Sequence, residues 1–115
     1  MGAIAFSKKQ EESWVVAGWA FHQILDDTLS QQGEDSEMIA AFEEAKALGG
    51  LMVYMLEPKF ARRVSKEIER VTRGILEGNI RSGIYEKRYG GEKTVAEYRA
   101  GLRDLLKAIP ATQPS

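Results

Sequence analysis

His22 is the only histidine of this 115-residue chain, and it lies three residues after Trp19 and four residues before Asp26. Side chains three and four residues apart share one face of a helix, so the Asp26 carboxylate could orient the imidazole as in a general base. The spacing assigns no serine or threonine to this pair as a nucleophile. We therefore interpret His22 as a boundary histidine that is hydrogen-bonded to its neighbour, and the sequence names no catalytic residue.

Aromatic residues recur through the first half of the chain and could line a ligand pocket between helices, with His22 or Tyr54 as its polar group. The same residue types are also typical of an ordinary hydrophobic core. The candidate pocket or interface is formed by Trp14, Trp19, His22, Asp26 and Tyr54.

Basic residues recur at three- and four-residue spacing opposite an apolar stripe, where they could neutralise nucleic-acid phosphates. Glu67 and Glu69 interrupt this positive face, and the net charge of −1 is unlike that of a nucleic-acid-binding domain. Nucleic acid is therefore disfavoured as a partner, and weak binding to it is only a further alternative. The candidate basic contact face consists of Arg62, Lys66, Arg70 and Arg73.

Metal and cofactor motifs are missing from the sequence. The chain has no cysteine, so it offers neither thiolate ligands nor disulfides. It has no Glu-x-x-His motif of the kind that holds two metals in helical bundles. The glycine pair Gly49-Gly50 lacks the lysine and hydroxyl residues of a phosphate-binding loop. The sequence therefore predicts no metal and no cofactor.

The first predicted helix begins at Ser7, because Ser7 and Gln10 have the spacing of a capping box, and it runs to about Gln32 before Gly33. Residues Trp14–Phe21 are eight apolar residues in a row. A helix that is apolar on all sides must be buried on all sides. This stretch therefore predicts either the central helix of the domain or a subunit interface.

Three further helices have clear start and stop signals. The second begins near Asp35 or Ser36 and ends at Gly49-Gly50, and the third follows Glu57-Pro58 and ends at Gly78-Asn79. The fourth begins at Thr94, the first residue of a second capping box, and ends before Pro110.

Residues 51–56 are apolar and fit either a buried strand or a buried helical turn. A strand needs a partner for its backbone, and the only other candidate strand is Ala3–Phe6. We therefore favour a helix for this segment.

Short connections between helices favour antiparallel neighbours. The predicted fold class is all-α, a four- or five-helix bundle that is mainly antiparallel, with a short irregular or strand-like N-terminal segment. Residues 1–109 form a single helical domain, and residues 110–115 form a disordered tail.

Charge is divided along the chain: residues 10–57 carry ten acids against one base, and residues 58–88 carry nine bases against four acids. Opposite blocks can pair within one molecule or between two copies. With the apolar first helix, this predicts a non-enzymatic helical interaction module that self-associates as a homodimer, with another protein as a further partner. The alternative is a small-molecule-binding or regulatory protein with an aromatic pocket between helices.

The longest apolar runs are far shorter than the about 20 residues that span a bilayer. No sorting signal was recognised at the N-terminus. The sequence therefore predicts a cytoplasmic protein that does not enter a membrane.

Overall fold

The computed structural model describes residues 1–86 and 91–110, in which helices predominate. Within these residues the α-helices are α1 (Gly18–Ser30), α2 (Ser36–Leu48), α3 (Pro58–Glu77) and α4 (Glu92–Ala108). The strands are β1 (Gly2–Ala5), β2 (Ser13–Val16) and β3 (Gly50–Met52). Single 3-10 turns cover Gln10–Glu12, Val53–Met55 and Gly83–Glu86. The prediction of a mostly helical domain is confirmed, but the small sheet lies outside the predicted all-α class.

The three strands form one sheet in the order β2-β1-β3, with β1 antiparallel to β2 and parallel to β3. Ile4 of β1 lies opposite both Trp14 of β2 and Leu51 of β3, and all three side chains are buried. Val15 and Met52 point to the other face, because side chains alternate along a strand, and both are exposed. One face of the sheet therefore contributes to the core, against which α1 packs.

The predicted first helix, from Ser7 to Gln32, is wrong in its first half. The Ser7 hydroxyl donates to Glu12 Oε1 and accepts from the Lys9 backbone N–H, so it closes a turn before β2 instead of capping a helix. The helix itself begins only at Gly18.

The interpretation of Trp14–Phe21 as one helix buried on every side is wrong as well. Trp14 is buried, and its indole Nε1 donates to the Gly101 carbonyl of α4 at 2.9 Å. Val15 is exposed, and Trp19 on the first turn of α1 is 38% exposed. The apolar run therefore changes from strand to helix and does not form an all-round apolar rod.

The helix favoured for residues 51–56 is also not formed, because Gly50–Met52 pair with β1 and Val53–Met55 form a 3-10 turn. The predicted partner segment, Ala3–Phe6, overlaps β1. Each of these segments was too short to predict a sheet alone, and β1 and β3 form one only together with β2.

The remaining helices agree with their sequence signals, apart from the start of α4. Asp35 caps α2 by accepting from the Met38 N–H, and Pro58 is the first residue of α3. Gly49 and Gly78 end these two helices with φ values of 78° and 84°, in the left-handed region that suits glycine. The capping box predicted at Thr94 is wrong, since α4 begins at Glu92 after Gly91.

The core lies between the sheet and the helices. The apolar stripe of α3 is buried and packs against α1 and α4, and it consists of Phe60, Val64, Ile68, Val71 and Ile75. Arg99 of α4 donates to the carbonyls of Ile75 and Leu76 at 3.2 and 2.9 Å, so it binds the end of α3. A mainly antiparallel arrangement of the helices stays a prediction.

Within residues 1–86 and 91–110, no helix is both long enough and apolar enough to cross a membrane. Of the predicted tail, 110–115, all but Pro110 lies outside the described residues.

Candidate functional site

A buried carboxylate connects α1 with two later parts of the chain. Asp27 is only 3% exposed, although its neighbour Asp26 is half-buried. The two side chains diverge because adjacent residues on a helix are rotated by about 100°. Asp27 shares the core-facing side of α1 with Ile24 and Thr28, so the helix carries this carboxylate into the interior.

Four hydrogen bonds reach the Asp27 carboxylate. Oδ1 accepts from Gln23 Nε2 and from the Gly83 backbone N–H, both at 2.8 Å. Oδ2 accepts from the Tyr98 hydroxyl at 2.8 Å and from the Ser82 hydroxyl. An ionised carboxylate has about four acceptor positions, so these donors occupy all of them. Asp27 therefore acts as a fixed structural acceptor and has no free position for a further donor.

The donors come from distant parts of the sequence, since Ser82, Gly83 and Tyr98 lie 55, 56 and 71 residues from Asp27. The Ser82 hydroxyl also accepts from the Ile84 N–H at 3.0 Å, which holds the 3-10 turn after it. We call Gln23, Asp27, Ser82, Gly83 and Tyr98 the Asp27 network.

Gly83 lets this segment approach α1 closely. A Cβ atom at this position would lie 3.0 Å from Gln23 Nε2 and 3.4 Å from Asp27 Oδ1. A side chain at this position would be crowded, so the Gln23 amide or the segment itself would have to shift by a few tenths of an ångström. The glycine therefore belongs to the site for steric reasons, although its backbone conformation is ordinary.

Tyr98 is buried, and its hydroxyl is held as a donor. Burial raises the pKa of the Tyr98 phenol far above its ordinary value, and the negative charge of Asp27 raises it further. Tyr98 therefore stays protonated and cannot act as a base at neutral pH. Its ring also contacts Trp19, with the ring centroids 6.2 Å apart.

A cleft of about 360 Å³ opens beside the network, which is near the lower end of the range of about 300–1,000 Å³ for ligand pockets. We call it the Asp27 cleft. Its wall combines parts of the network with more exposed polar residues of α1 and of the segment after α3. The lining residues are Gln23, Asp26, Asp27, Ser30, Arg81, Ser82, Gly83 and Glu86.

One polar atom in this wall lacks a partner. Gln23 is 2% exposed, and its Oε1 has no hydrogen bond among the described residues. Its Nε2 must face Asp27, because the reverse orientation would place two acceptors together. Burying such an oxygen without a donor costs about 1–3 kcal/mol. The unsatisfied acceptor therefore belongs to a residue that lines the cleft.

The residues predicted as a pocket do not surround this cleft. Trp14 lies in β2, Tyr54 is exposed in the 3-10 turn after β3, and His22 is exposed on α1. Asp26 lines the cleft and binds Lys46, and no hydrogen bond joins it to His22 in the described part of the chain. The aromatic residues thus do not mark this site, whereas Gln23 and Asp27, one helical turn apart, could have signalled it.

The basic contact face lies on the solvent side of α3, where Lys66 is exposed and Arg62 is half-buried. Arg70 donates to Glu67 at 2.9 and 2.7 Å, and Arg73 donates to Glu69 at 3.3 and 3.0 Å. Hydrogen bonds from Gln32 and Arg70 hold the pKa of Glu67 below its ordinary value against the opposing effect of burial. The helix therefore neutralises part of its own positive face.

The acidic and basic blocks meet at Arg63, which binds Asp35 and also donates to Glu37 at 2.7 Å. The hydrogen bond from the Met38 N–H, opposed by burial and supported by Arg63, lowers the pKa of Asp35. Other pairs, such as Arg81 with Glu86, join residues of the same block. Within the described residues no group of three carboxylate or imidazole side chains is placed to hold a metal ion.

In comparisons with known proteins, no family model, no curated protein and no solved structure matches this chain.

Proposed function

We propose that this chain is a small-ligand-binding protein whose site is the Asp27 cleft. The observation that carries the proposal is the buried and unpartnered Gln23 Oε1 in the wall of a polar cleft. Buried polar atoms in folded proteins are nearly always hydrogen-bonded, so an exception at a cleft supports a ligand there. The pocket expected from the sequence was aromatic, whereas the proposed one is lined by polar and charged residues and glycine.

The rigidity of the cleft supports the same proposal. Asp27 fixes the position of the Ser82-Gly83 segment through hydrogen bonds from a hydroxyl and a backbone N–H. Binding groups that are already held in place lose less conformational entropy when a ligand arrives. The network thus supplies a preformed wall, and the exposed side chains of Ser30, Arg81 and Glu86 lie at the rim of the cleft.

Thermal-shift screening against a library of polar metabolites tests the proposal. A ligand at 100 times its Kd stabilises the protein by about 2.7 kcal/mol, which raises the Tm of a domain of this size by on the order of 10 °C. Ser30→Trp should remove the shift, because the indole fills the cleft. Ala40→Trp, at an exposed position of α2, is the matched control and should keep it.

Either of two results would contradict ligand binding at this site. One is that no compound raises the Tm of the wild type. The other is that every active compound stabilises Ser30→Trp as much as it stabilises Ala40→Trp, which would place the ligand elsewhere.

Self-association is a second candidate function, supported by a different surface from the one expected. Leu48 and Met55 are 75% and 73% exposed, and Met52 and Tyr54 are exposed between them. They surround β3, an edge strand of the sheet, and methionine and tyrosine are enriched at protein interfaces. We call Leu48, Met52, Tyr54 and Met55 the β3 surface and propose a second copy of the chain as its partner.

Light scattering on a size-exclusion column measures this association. A dimer at tens of micromolar that becomes a monomer in Met55→Lys, but not in Ala40→Lys, would support it. A wild-type monomer at this concentration would contradict it. The interaction with another protein and the cytoplasmic location stay predictions. We propose no function for the basic contact face, because Glu67 and Glu69 neutralise part of its charge.

A further inference from the structure

The charge of the Asp27 cleft indicates which ligand it would take, an inference that rests on the proposed function. The described lining residues include three carboxylates, from Asp26, Asp27 and Glu86, and one guanidinium, from Arg81, which gives these residues a net charge of −2. Lys46 binds Asp26 from outside the cleft and reduces this to −1. The cleft therefore favours a cationic ligand over an anionic one.

Among the described residues of the wall the one cation is Arg81, and it is paired with Glu86. Arg81 Nε donates to Glu86 Oε1 at 3.2 Å, and its guanidinium lies 4.9 Å from the centre of the Tyr85 ring. An anion would have to compete with the Glu86 carboxylate for this group and would also meet the charges of Asp26 and Asp27. Arg81 therefore adds no uncompensated positive charge to the cleft.

Apart from the terminal nitrogens of Arg81, the free hydrogen-bonding capacity of the described lining residues consists mainly of acceptors. Gln23 Oε1 lacks a donor, whereas the network already supplies all the donors that Asp27 accepts. The carboxylates of Asp26 and Glu86 are partly exposed, with side-chain exposures of 42% and 71%, and retain acceptor positions. A primary ammonium is the matching group, because it has three N–H donors, one positive charge and no acceptor.

We infer that the Asp27 cleft binds a small organic cation through a primary ammonium group. Gln23 would accept one N–H, and the carboxylates of Asp26 and Glu86 would supply the opposing charge. The same chemistry is offered by a free amine and by a lysine side chain of a peptide, so the experiment must separate these two sources.

Three probes with the same four-carbon chain isolate the effect of charge: 1,4-diaminobutane, 1,4-butanediol and succinate. They are titrated into uniformly ¹⁵N-labelled protein, and the side-chain NH₂ of Gln23 and the backbone N–H of Gly83 are followed by NMR. We expect saturable shifts of both signals with the diamine and none with the diol or succinate. Nα-acetyl-lysine methylamide is the peptide probe. Binding weaker than that of the diamine would assign the site to free amines, and equal binding would extend it to lysine side chains.

Two isosteric substitutions test the role of the rim carboxylates. Asp26→Asn with Glu86→Gln should weaken the diamine about tenfold, which is about 1.4 kcal/mol, because ion pairs with two partly exposed carboxylates are weak. Glu43→Gln, at an exposed position of α2 away from the cleft, should change the affinity less than about twofold because such surface charges are screened. Equal effects of the rim variant and the control would overturn the inference.

The outcomes separate this inference from the proposed function. Saturable shifts at Gln23 and Gly83 with succinate or the diol, but not with the diamine, would overturn the choice of an ammonium while leaving ligand binding at the cleft supported. No shift with any probe at millimolar concentration would also overturn it, and the metabolite screen with Ser30→Trp then decides on the cleft itself.

Discussion

Two charged regions of this chain, the Asp27 network and the basic contact face of α3, use polar residues in opposite ways. Asp27 is buried, and three of its four donors lie 55 to 71 residues away. Arg70 and Arg73 are exposed, and their acceptors lie three and four residues away on the same helix. Local pairs support a helix that its apolar stripe already specifies. Long-range hydrogen bonds instead fix where separate segments meet, so the network is where substitutions should matter most.

The largest effect should come from Asp27→Ala, which leaves the donors of Gln23, Ser82, Gly83 and Tyr98 without their acceptor. We expect a loss of about 4 kcal/mol in the free energy of unfolding, measured by urea denaturation. Asp26→Ala is the matched control on the adjacent residue, where an exposed ion pair with Lys46 contributes less than about 1 kcal/mol. Similar losses in the two variants would show that the buried carboxylate of Asp27 contributes no more to stability than the partly exposed carboxylate of Asp26.

Gly83→Ala should have the next largest effect. The added Cβ would lie 3.0 Å from Gln23 Nε2, so the Gln23 amide or the segment must shift by a few tenths of an ångström within the Asp27 network, and such crowding costs about 1–3 kcal/mol. Gly101→Ala is the control, because its Cβ would meet Trp14 and Val16 at 3.7 and 3.8 Å, which is ordinary contact. Within α4 this change should be neutral or stabilise by up to about 1 kcal/mol. Thermal denaturation of both variants measures the contrast, and equal Tm values would refute the steric argument.

Tyr98→Phe should cost about 1 kcal/mol at neutral pH, since it removes one hydrogen bond to Asp27. The pKa of Tyr98 is raised in the folded state, so its contribution is complete below the unfolded pKa of about 10 and declines above it. The difference between wild type and Tyr98→Phe should therefore shrink between pH 9 and 11 in urea denaturation. Tyr85→Phe, at an exposed tyrosine, is the control. A difference that stays constant across this range would contradict the assignment.

The smallest effect is expected on α3. Arg70→Gln and Arg73→Gln should each change the free energy of unfolding by less than about 0.5 kcal/mol, because exposed pairs of this kind are weak. Urea denaturation at low and high salt measures it. A loss comparable to that of Gly83→Ala would show that the basic face has a long-range structural role.

The sequence predicted a helix best where an apolar stripe and a residue typical of a helix terminus indicated the same segment. The stripe from Phe60 to Ile75 and Pro58 together specify α3, and Asp35 specifies the start of α2. Both signals are local, because a helix satisfies its backbone within its own segment.

The sheet could not be predicted in the same way, because each strand depends on residues far along the chain. Ser7 and Gln10 match a capping box, but pairing of Ser13–Val16 with β1 prevails over that local signal. Likewise the position of Asp27 on α1 places it near Gln23, but nothing in the spacing reveals that Ser82 and Tyr98 would meet it. The sequence did not predict the candidate site for this reason. Of the aromatic residues that were predicted to line a pocket, Trp14 lies in the core and Tyr54 is exposed.

The order of the strands also has a consequence for the time at which the domain can form. The middle strand, β1, comes first in the chain, and its parallel neighbour β3 is about 45 residues later. During synthesis the edge of β1 that pairs with β3 must therefore stay hydrated until residues 50–52 have left the ribosome, although β2 can already pair with the other edge. Contacts of such large sequence separation slow folding. We expect the helices of this protein to form before its sheet closes.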